Sequence, residues 1–220
     1  FINKYKSNLK VICIGNLTIG GTGKTPFSIY IYKILKNFGY KPVFLTRGYR
    51  GLLKGPVEVK DTHNFETVGD EAMLLSKIGP TIVSKNRLLG AKLIENHEEN
   101  FNIIIMDDGL QNYQLEQDIK FLLVDRNLKF GNEYCIPAGP LREPVNQGLK
   151  KIDALILTGN NYQKDTNFKN IDIAIFNSET KIIKSPKIKK EGLLAFCGLA
   201  NPNKFYELLK ENGQNVISTK

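Results

Sequence analysis

The sequence predicts an α/β fold in which a mainly parallel β-sheet carries helices on both faces. Short apolar runs rich in β-branched residues alternate along the chain with segments whose apolar residues recur at helical spacing. One run, 103–106, has no polar residue, so both faces of that strand are expected to be buried, as in parallel sheets. Strands that alternate with helices imply this layered architecture.

The elements follow in alternating order. The first helix starts at Lys24 and ends near Gly39, where glycine is a favourable C-cap. Strands are predicted at 11–15, 41–47, 81–84, 101–109, 119–125, 153–159, 171–176 and 192–198. Helices are predicted at 24–39, 69–79, 86–99 and 201–213, and the polar segment 160–170 is predicted to be a surface loop.

We expect a core domain over residues 1–190 and the beginning of a smaller C-terminal subdomain over residues 191–220. The chain opens without Met and closes ENGQNVISTK, in which VIS has the character of a strand just starting. This pattern indicates a chain truncated at both ends.

The net charge of +9 favours anionic partners, namely nucleic acid, an acidic membrane surface or a phosphorylated substrate. Aromatic residues do not interleave with Lys and Arg, and no zinc-finger spacing occurs, so nucleic acid is not favoured. The basic run 180–190 is interpreted as a solvated loop and edge strand, or as a contact for lipid headgroups or phosphate. No obligate protein partner is inferred.

The stretch GNLTIGGTGKTP (15–26) lies between the first strand and the first helix. Bare backbone N–H groups at such a turn, together with the helix dipole, favour a phosphate. Lys24 is expected to reach the outer phosphates, and the Thr25 hydroxyl to ligate Mg²⁺. The predicted nucleotide-binding residues are Thr18, Ile19, Gly20, Gly21, Thr22, Gly23, Lys24 and Thr25. Thr18 stands where the general pattern has glycine, and a glycine-rich turn without ligand is the alternative.

Asp107 and Asp108 directly follow the apolar run. Folds with this glycine-rich loop place the carboxylate that holds the Mg²⁺ water shell at such a position. Asp107 is the first candidate and Asp108 the second. Two acids that merely end a strand in solvent are the alternative.

Two further loops remain ambiguous. In TRGYRG (46–51), Arg47 and Arg50 are candidates for binding substrate or nucleotide phosphates, or they belong to an ordinary solvated loop. In VGDEA (68–72), Asp70 is either the N-cap of the following helix or a carboxylate that takes a proton from an attacking hydroxyl.

Three functional classes are compatible with these motifs. A small-molecule kinase is favoured, because arginines and carboxylates are present beyond the nucleotide set. A GTPase switch lacks an NKxD-type guanine-reading motif. A partner-activated ATPase with a KGGxGK[ST] loop has Ile19 in place of its additional lysine.

Together the motifs resemble the tetraacyldisaccharide 4′-kinases of lipid A biosynthesis. The resemblance rests on GNLTIGGTGKTP, TRGYRG, VGDEA, DDGLQ, PAGPLREP (137–144) and FCGLANPNKF (196–205), in family order over nearly the whole chain. It implies a P-loop NTPase-type fold and transfer of the ATP γ-phosphate to the 4′-hydroxyl of a tetraacylated glucosamine disaccharide 1-phosphate. It also implies a peripheral location on the anionic cytoplasmic face of the bacterial inner membrane.

By the same resemblance, Lys24 and Thr25 serve nucleotide and Mg²⁺, and Asp70 is the proposed general base with Glu71 as its neighbour. Arg87, Arg142 and Glu143 match charged active-site positions, and Glu71 and Gln111 are candidate substrate-binding residues. Asn112 stands where a His is common. The family's N-terminal membrane-associating helix, and a His segment after GLANPNKF whose histidine is thought to pair with the base, have no counterpart in residues 1–220. We therefore expect this stretch to bind ATP and Mg²⁺ but to transfer phosphate poorly.

Overall fold

A computed structural model of the chain describes residues 4–159, 172–181, 192–198 and 202–219. An eight-stranded sheet has the order β3-β4-β2-β5-β1-β6-β7-β8, and β9 and β10 form a second, two-stranded sheet. The strands are β1 Lys10–Gly15, β2 Pro42–Thr46, β3 Val57–Glu58, β4 Thr81–Val83, β5 Ile103–Asp107, β6 Ile119–Asp125, β7 Ala154–Thr158, β8 Ala174–Ser178, β9 Leu193–Ala195 and β10 Val216–Thr219. The helices are α1 Lys24–Asn37, α2 Phe65–Val68, α3 Asp70–Ser76, α4 Arg87–Glu95, α5 Val145–Leu149 and α6 Pro202–Glu211.

The large sheet is parallel except at one edge. β1 lies at its centre, between β5 and β6, and Ile14 of β1 is aligned with Asp107 of β5. Only the two-residue β3 runs antiparallel, beside β4. The predicted mainly parallel α/β architecture is therefore confirmed.

Two apolar cores lie on opposite faces of this sheet, because alternate side chains of a strand point to opposite sides. Cys13 of β1 belongs to one core, together with residues of α4 such as Ile94. Ile14 belongs to the other, together with Tyr32 of α1 and Leu75 of α3. This arrangement brings the N-termini of α1, α3 and α4 close to the carboxyl edge of the sheet.

Three short elements were not predicted from the sequence. They are β3, α2 and α5, with lengths of two, four and five residues. The start of α2 carries a capping box, in which the side chains of Asn64 and Thr67 each accept a bond from the other residue's backbone N–H. Elements this short have no hydrophobic periodicity, so their positions depend on tertiary contacts.

The predicted ends of several elements shift by a few residues. α1 ends at Asn37, and Gly39 follows in the left-handed region at φ 84°. β8 extends to Ser178, beyond the predicted 171–176. The predicted loop 160–170 and most of the basic run 180–190 lie outside the described residues.

The segment after residue 191 contributes β9, α6 and β10, and the two strands pair in parallel. The division into a core and a C-terminal subdomain stays a prediction. Within the described part of the chain, no helix has the length and apolar character needed to cross a membrane.

Candidate active site

The glycine-rich loop after β1 is held from inside by a buried amide. Asn16 is fully buried, and its Nδ2 donates to the carbonyl of Thr18 at 2.7 Å. Its Oδ1 accepts from Nζ of Lys24 at 3.2 Å. Asn16 thus links the start of the loop to the lysine at its end, and only 10% of the Lys24 side chain is exposed.

Two glycines are required by the backbone conformation of this loop. Gly20 has a φ of 122° and Gly23 a φ of 87°, which L side chains rarely adopt. Gly23 is also the N-cap of α1. Since glycine has no side chain, no capping side chain binds the first N–H groups of the helix. A helix N-terminus in this state favours an anion.

The position of Thr18 in the fold explains why threonine replaces the glycine of the general pattern. Its φ is not positive, and it forms an isolated antiparallel bridge with Leu141. On either side of it, Ile19 N donates to Pro140 O at 2.8 Å and Arg142 N donates to Leu17 O at 2.7 Å. The PAGPLREP segment therefore pairs with the loop, and the position needs extended backbone rather than glycine.

The remaining predicted loop residues differ in exposure. Ile19 is 60% exposed and Gly21 is exposed. Thr22 is buried, and its carbonyl accepts from the Thr158 hydroxyl at 3.1 Å. Among the described residues, the Thr22 hydroxyl has no hydrogen-bond partner.

Asp107 ends β5 and faces α1. Its Oδ2 accepts from Thr25 Oγ1 at 3.1 Å, and its Oδ1 accepts from Ser28 Oγ at 2.8 Å. Burial raises the pKa of Asp107, while the Ser28 and Thr25 bonds act in the opposite direction. The alternative of an acid ending a strand in solvent is wrong for Asp107. A hydroxyl beside a carboxylate at this edge is a ligand pair that suits Mg²⁺.

Asp108 faces a different set of partners. Its Oδ1 lies 2.8 Å from Nη1 of Arg142 and 3.7 Å from Nζ of Lys24. Asp108 therefore lies between two cations that the sequence places far apart, one on the glycine-rich loop and one on the PAGPLREP segment.

Glu143 and Gln111 form the back of the same cluster. Gln111 Nε2 donates to Glu143 Oε1 at 2.9 Å and to the Asn16 carbonyl at 3.0 Å, while its Oε1 accepts from Arg142 at 3.2 Å. Lys151 Nζ lies 2.7 Å and 2.6 Å from the two Glu143 oxygens. Glu143 is thus fully engaged by protein donors.

Asp70 and Glu71 open α3. The N-cap of α3 is Gly69, and Asp70 is the first helical residue, so the N-cap interpretation of Asp70 is wrong. Asp70 is exposed. Burial, with Asp107 and Asp108 adding to it, raises the pKa of Glu71, against the opposing charge of Lys24 and Arg142. Both carboxylates lie in the first turn of α3, and the charges of the cluster act on Glu71.

Apart from Arg142, the predicted site arginines divide into one that is buried, Arg87, and two that are exposed, Arg47 and Arg50. Arg87, the first residue of α4, is 3% exposed, and burial lowers its pKa to about 10. Asp108 and Asp107 favour the charged form of Arg87 and so raise its pKa, whereas the charge of Arg47 lowers it. Arg50 is exposed, has a φ of 64° and lies over the Tyr49 ring, 5.5 Å from its centroid.

The family model described as tetraacyldisaccharide-1-P 4′-kinase, LpxK, matches residues 1–220. The chain belongs to this family. The tetraacyldisaccharide 4′-kinases of Paramagnetospirillum magneticum and Parvibaculum lavamentivorans are 39% and 40% identical to it, over 98% and 97% of the chain. The chain spans 66% and 63% of the length of these two relatives.

Two further comparisons agree. The tetraacyldisaccharide 4′-kinase of Francisella tularensis subsp. novicida is 35% identical over the whole chain and 73% of its own length. The crystal structure of LpxK from Aquifex aeolicus in complex with ATP has a TM-score of 0.79 and 29% identity, and it covers 100% of this chain and 73% of that one. Membership of the LpxK family confirms the resemblance that the motifs indicated, and the match to the LpxK crystal structure confirms the P-loop α/β fold. These findings do not favour the alternative of a partner-activated ATPase or GTPase switch.

The sequence analysis missed three residues that contact the predicted site residues, namely Asn16, Ser28 and Lys151. Ser28 follows Thr25 by three residues on the buried face of α1, a spacing that does signal a polar group facing inward. Asn16 lies between two buried residues and gives only a weak signal. Lys151 has the same residue type as its exposed neighbour Lys150, so the sequence carries no signal for it.

Proposed function

We propose that this protein is an ATP-dependent kinase that phosphorylates the 4′-hydroxyl of a tetraacylated glucosamine disaccharide 1-phosphate. The observation that carries the proposal is the meeting of three motifs at one sheet edge. Lys24 approaches Asp108, Asp108 pairs with Arg142, and Asp107 accepts from Thr25. Phosphoryl transfer depends on positioning and charge neutralisation, which such a cluster supplies.

ATP is proposed to bind along residues 18–25. The uncapped N-terminus of α1 offers N–H groups to a phosphate, and the buried Thr22 hydroxyl lacks a protein partner among the described residues. Lys24 is held with its side chain largely buried, which directs its charge toward the loop. These features support a nucleotide rather than a glycine-rich turn without ligand.

Thr25, Asp107 and Asp108 are proposed to hold Mg²⁺. The Thr25 hydroxyl and the Asp107 carboxylate lie 3.1 Å apart, and hard oxygen donors in this combination fit the ion. When bound, Mg²⁺ neutralises charge on the outer phosphates. Ser28 keeps the Asp107 carboxylate oriented toward Thr25.

Asp70 is proposed to accept the proton of the sugar hydroxyl. It is exposed on the first turn of α3, where a substrate can reach it, whereas Glu143 is occupied by Lys151 and Gln111. Arg87, whose charged form Asp108 and Asp107 favour, is proposed to stabilise charge on the transferred group. Arg47 and Arg50 are suited to bind phosphate on the substrate.

We propose that the protein acts at the cytoplasmic face of the inner membrane, as a peripheral protein, because its proposed substrate is a lipid. The net charge of +9 supports this location, because an anionic lipid surface attracts a basic protein.

Transfer of labelled phosphate from ATP to the tetraacyldisaccharide 1-phosphate, followed by thin-layer chromatography, tests the proposal. The intact natural protein is expected to form the product in the presence of Mg²⁺. Lys24→Ala should abolish detectable transfer and weaken ATP binding in calorimetry. Lys33→Ala, which removes an exposed lysine of the same helix, is the matched control and should behave as wild type. Unchanged ATP affinity in Lys24→Ala would contradict the proposed nucleotide site.

A further inference from the structure

Lys151 lies outside every motif that points to the proposed function, yet it joins the two loops that carry the acids and Arg142. Its ammonium lies 2.6 Å and 2.7 Å from the two oxygens of Glu143, and it donates to the carbonyl of Leu110 at 3.2 Å. These three contacts use all three N–H groups of the ammonium. The Lys151 head group therefore has a defined orientation.

The two groups that it joins are adjacent to the ion pair of the site. Glu143 directly follows Arg142, and Leu110 follows Asp108 by two residues. Arg142 and Asp108 are themselves paired at 2.8 Å, and Asp108 lies 3.7 Å from Lys24. Lys151 therefore joins a residue next to Arg142 to a residue close to Asp108, and it fixes both sides of the Arg142–Asp108 ion pair.

Glu143 depends on this cation because only 11% of its side chain is exposed. A buried carboxylate that loses its partner is costly and draws in another cation. Arg142 is the neighbouring cation of the network, and a shift of its guanidinium toward Glu143 would change its contacts with Asp108 and Gln111. Loss of Lys151 is thus expected to disturb the Arg142–Asp108 pair.

The glycine-rich loop is linked to Lys151 less directly, through Gln111, which donates both to Glu143 and to the Asn16 carbonyl. Asn16 holds Lys24 and the Thr18 carbonyl through its own side chain. Substitution of Lys151 should therefore disturb the Arg142–Asp108 ion pair more than it weakens the binding of nucleotide in the absence of metal.

We infer that Lys151 is a positioning residue, which locks Glu143 and the Leu110 carbonyl together and thereby holds the Arg142–Asp108 ion pair beside Lys24. The inference rests on the proposed kinase function. It assigns to Lys151 no contact with ATP or with the acceptor.

Lys151→Met in the intact natural protein tests the inference. We expect kcat to fall by roughly 10- to 100-fold, the scale typical of a small misplacement of active-site groups. ATP affinity without Mg²⁺ should remain that of wild type in calorimetry, whereas the gain in ATP affinity on adding Mg²⁺ should be largely lost. Lys151→Arg, which keeps the charge and the donors, should recover activity relative to Lys151→Met.

Lys150→Met is the matched control, since Lys150 is exposed and adjacent in the chain, and it should match wild type. In a double-mutant cycle, Lys151→Met should add little to Glu143→Gln, because Lys151 acts through Glu143. If Lys151→Met does not fold, Lys151→Gln replaces it in each comparison.

Wild-type kcat in Lys151→Met, or additive losses in the cycle, would overturn the inference. If wild type forms no lipid product, the kinase proposal fails, and the Mg²⁺-dependent gain in ATP affinity still decides the role of Lys151. Absence of that gain in wild type would also overturn the inference, because no metal site would then exist for Lys151 to support.

Discussion

Asp107 and Asp108 are neighbours in the chain, but their carboxylates serve different partners. Asp107 continues β5 and accepts from Thr25 and Ser28. Asp108 has a φ of 53°, in the left-handed region that Asp tolerates better than most residues, and its carboxylate faces Arg142. The change in backbone direction between them allows one dipeptide to serve both the hydroxyl side and the cationic side of the site.

Asp70 is the residue whose proposed role is most directly tested by substitution. Asp70→Ala should lower kcat by roughly 10²–10⁴-fold, as expected when a general base is removed. ATP affinity should hardly change, because Asp70 makes no contact with the glycine-rich loop among the described hydrogen bonds. Steady-state kinetics and calorimetry separate the two effects, with Asp61→Ala as an exposed control. A large loss of ATP affinity with little change in rate would assign Asp70 to metal binding or to structure instead.

The pKa of Glu71 predicts that the stability of the folded protein depends on pH. Its pKa is raised in the folded protein, chiefly by burial, so the unfolded chain releases this proton more readily than the folded one. The Glu71 contribution to the free energy of unfolding is therefore retained below the ordinary Glu pKa and is lost as pH rises through the raised value. Glu71→Gln should be more stable than wild type at neutral pH.

Denaturant unfolding at several pH values checks this expectation. The stability difference between Glu71→Gln and wild type should vanish in acid and grow toward neutrality, whereas Glu66→Gln, on the exposed side of α2, should show no such trend. A difference that is constant with pH would show that ionisation of Glu71 is not its source.

At the scale of the elements, the loop after β2 packs backbone against backbone on α2 and on Gly69, the N-cap of α3. Leu52 N donates to Glu66 O and Leu53 N to Thr67 O, both at 2.9 Å. A Cβ added at Gly69 would lie 2.3 Å from the Tyr49 carbonyl oxygen, and Gly69 has a φ of 91°. The absence of a side chain at position 69 therefore allows the loop that carries Arg47 and Arg50 to pack closely against the start of α3, which carries the two carboxylates.

Gly69→Ala should disturb this contact and displace the start of α3. Gly39→Ala is the matched control, because Gly39 has a φ of 84° but no atom within 4 Å of an added Cβ. The control should be destabilised by about 1–2 kcal/mol, the cost of left-handed backbone for an L residue. Gly69→Ala should lose more stability than the control in denaturant unfolding, and it alone should lower kcat. Equal losses in the two variants would indicate that the loop adjusts without moving α3.

At the scale of the whole molecule, the site lies where β1 and β5 end side by side at the centre of the sheet. This placement puts the glycine-rich loop, the acids and the N-terminus of α3 on one edge, as ligand sites lie in open parallel sheets. Ligand binding at this edge joins segments that are far apart in sequence and should stabilise the entire fold.

Mg²⁺-ATP should therefore raise the thermal midpoint of the intact protein. At 100 times Kd, a ligand that binds only the folded state contributes about 2.7 kcal/mol, equivalent to about 5–10 °C for a chain of this length. Differential scanning fluorimetry with increasing Mg²⁺-ATP measures the shift, and Lys24→Ala should remove most of it. An undiminished shift in Lys24→Ala would locate the stabilising nucleotide elsewhere.

Local patterns were sufficient to predict β1, α1, β5 and the motifs between them. Apolar runs, helical periodicity and the glycine-rich turn are properties of neighbouring residues, so the chain alone predicted an α/β fold with Lys24, Thr25 and Asp107 at one sheet edge. The family resemblance added Arg142 and Glu143, which local pattern does not distinguish from other charged residues.

Only tertiary packing decided which polar side chains are buried and what they contact. Lys150 and Lys151 are the same residue type in adjacent positions, but one is exposed and the other engages Glu143 and Leu110. Asp70 and Glu71 likewise separate into an exposed carboxylate and one whose pKa is raised by burial. The physical reason is that burial and pairing depend on groups brought together from distant parts of the chain, which no local spacing specifies.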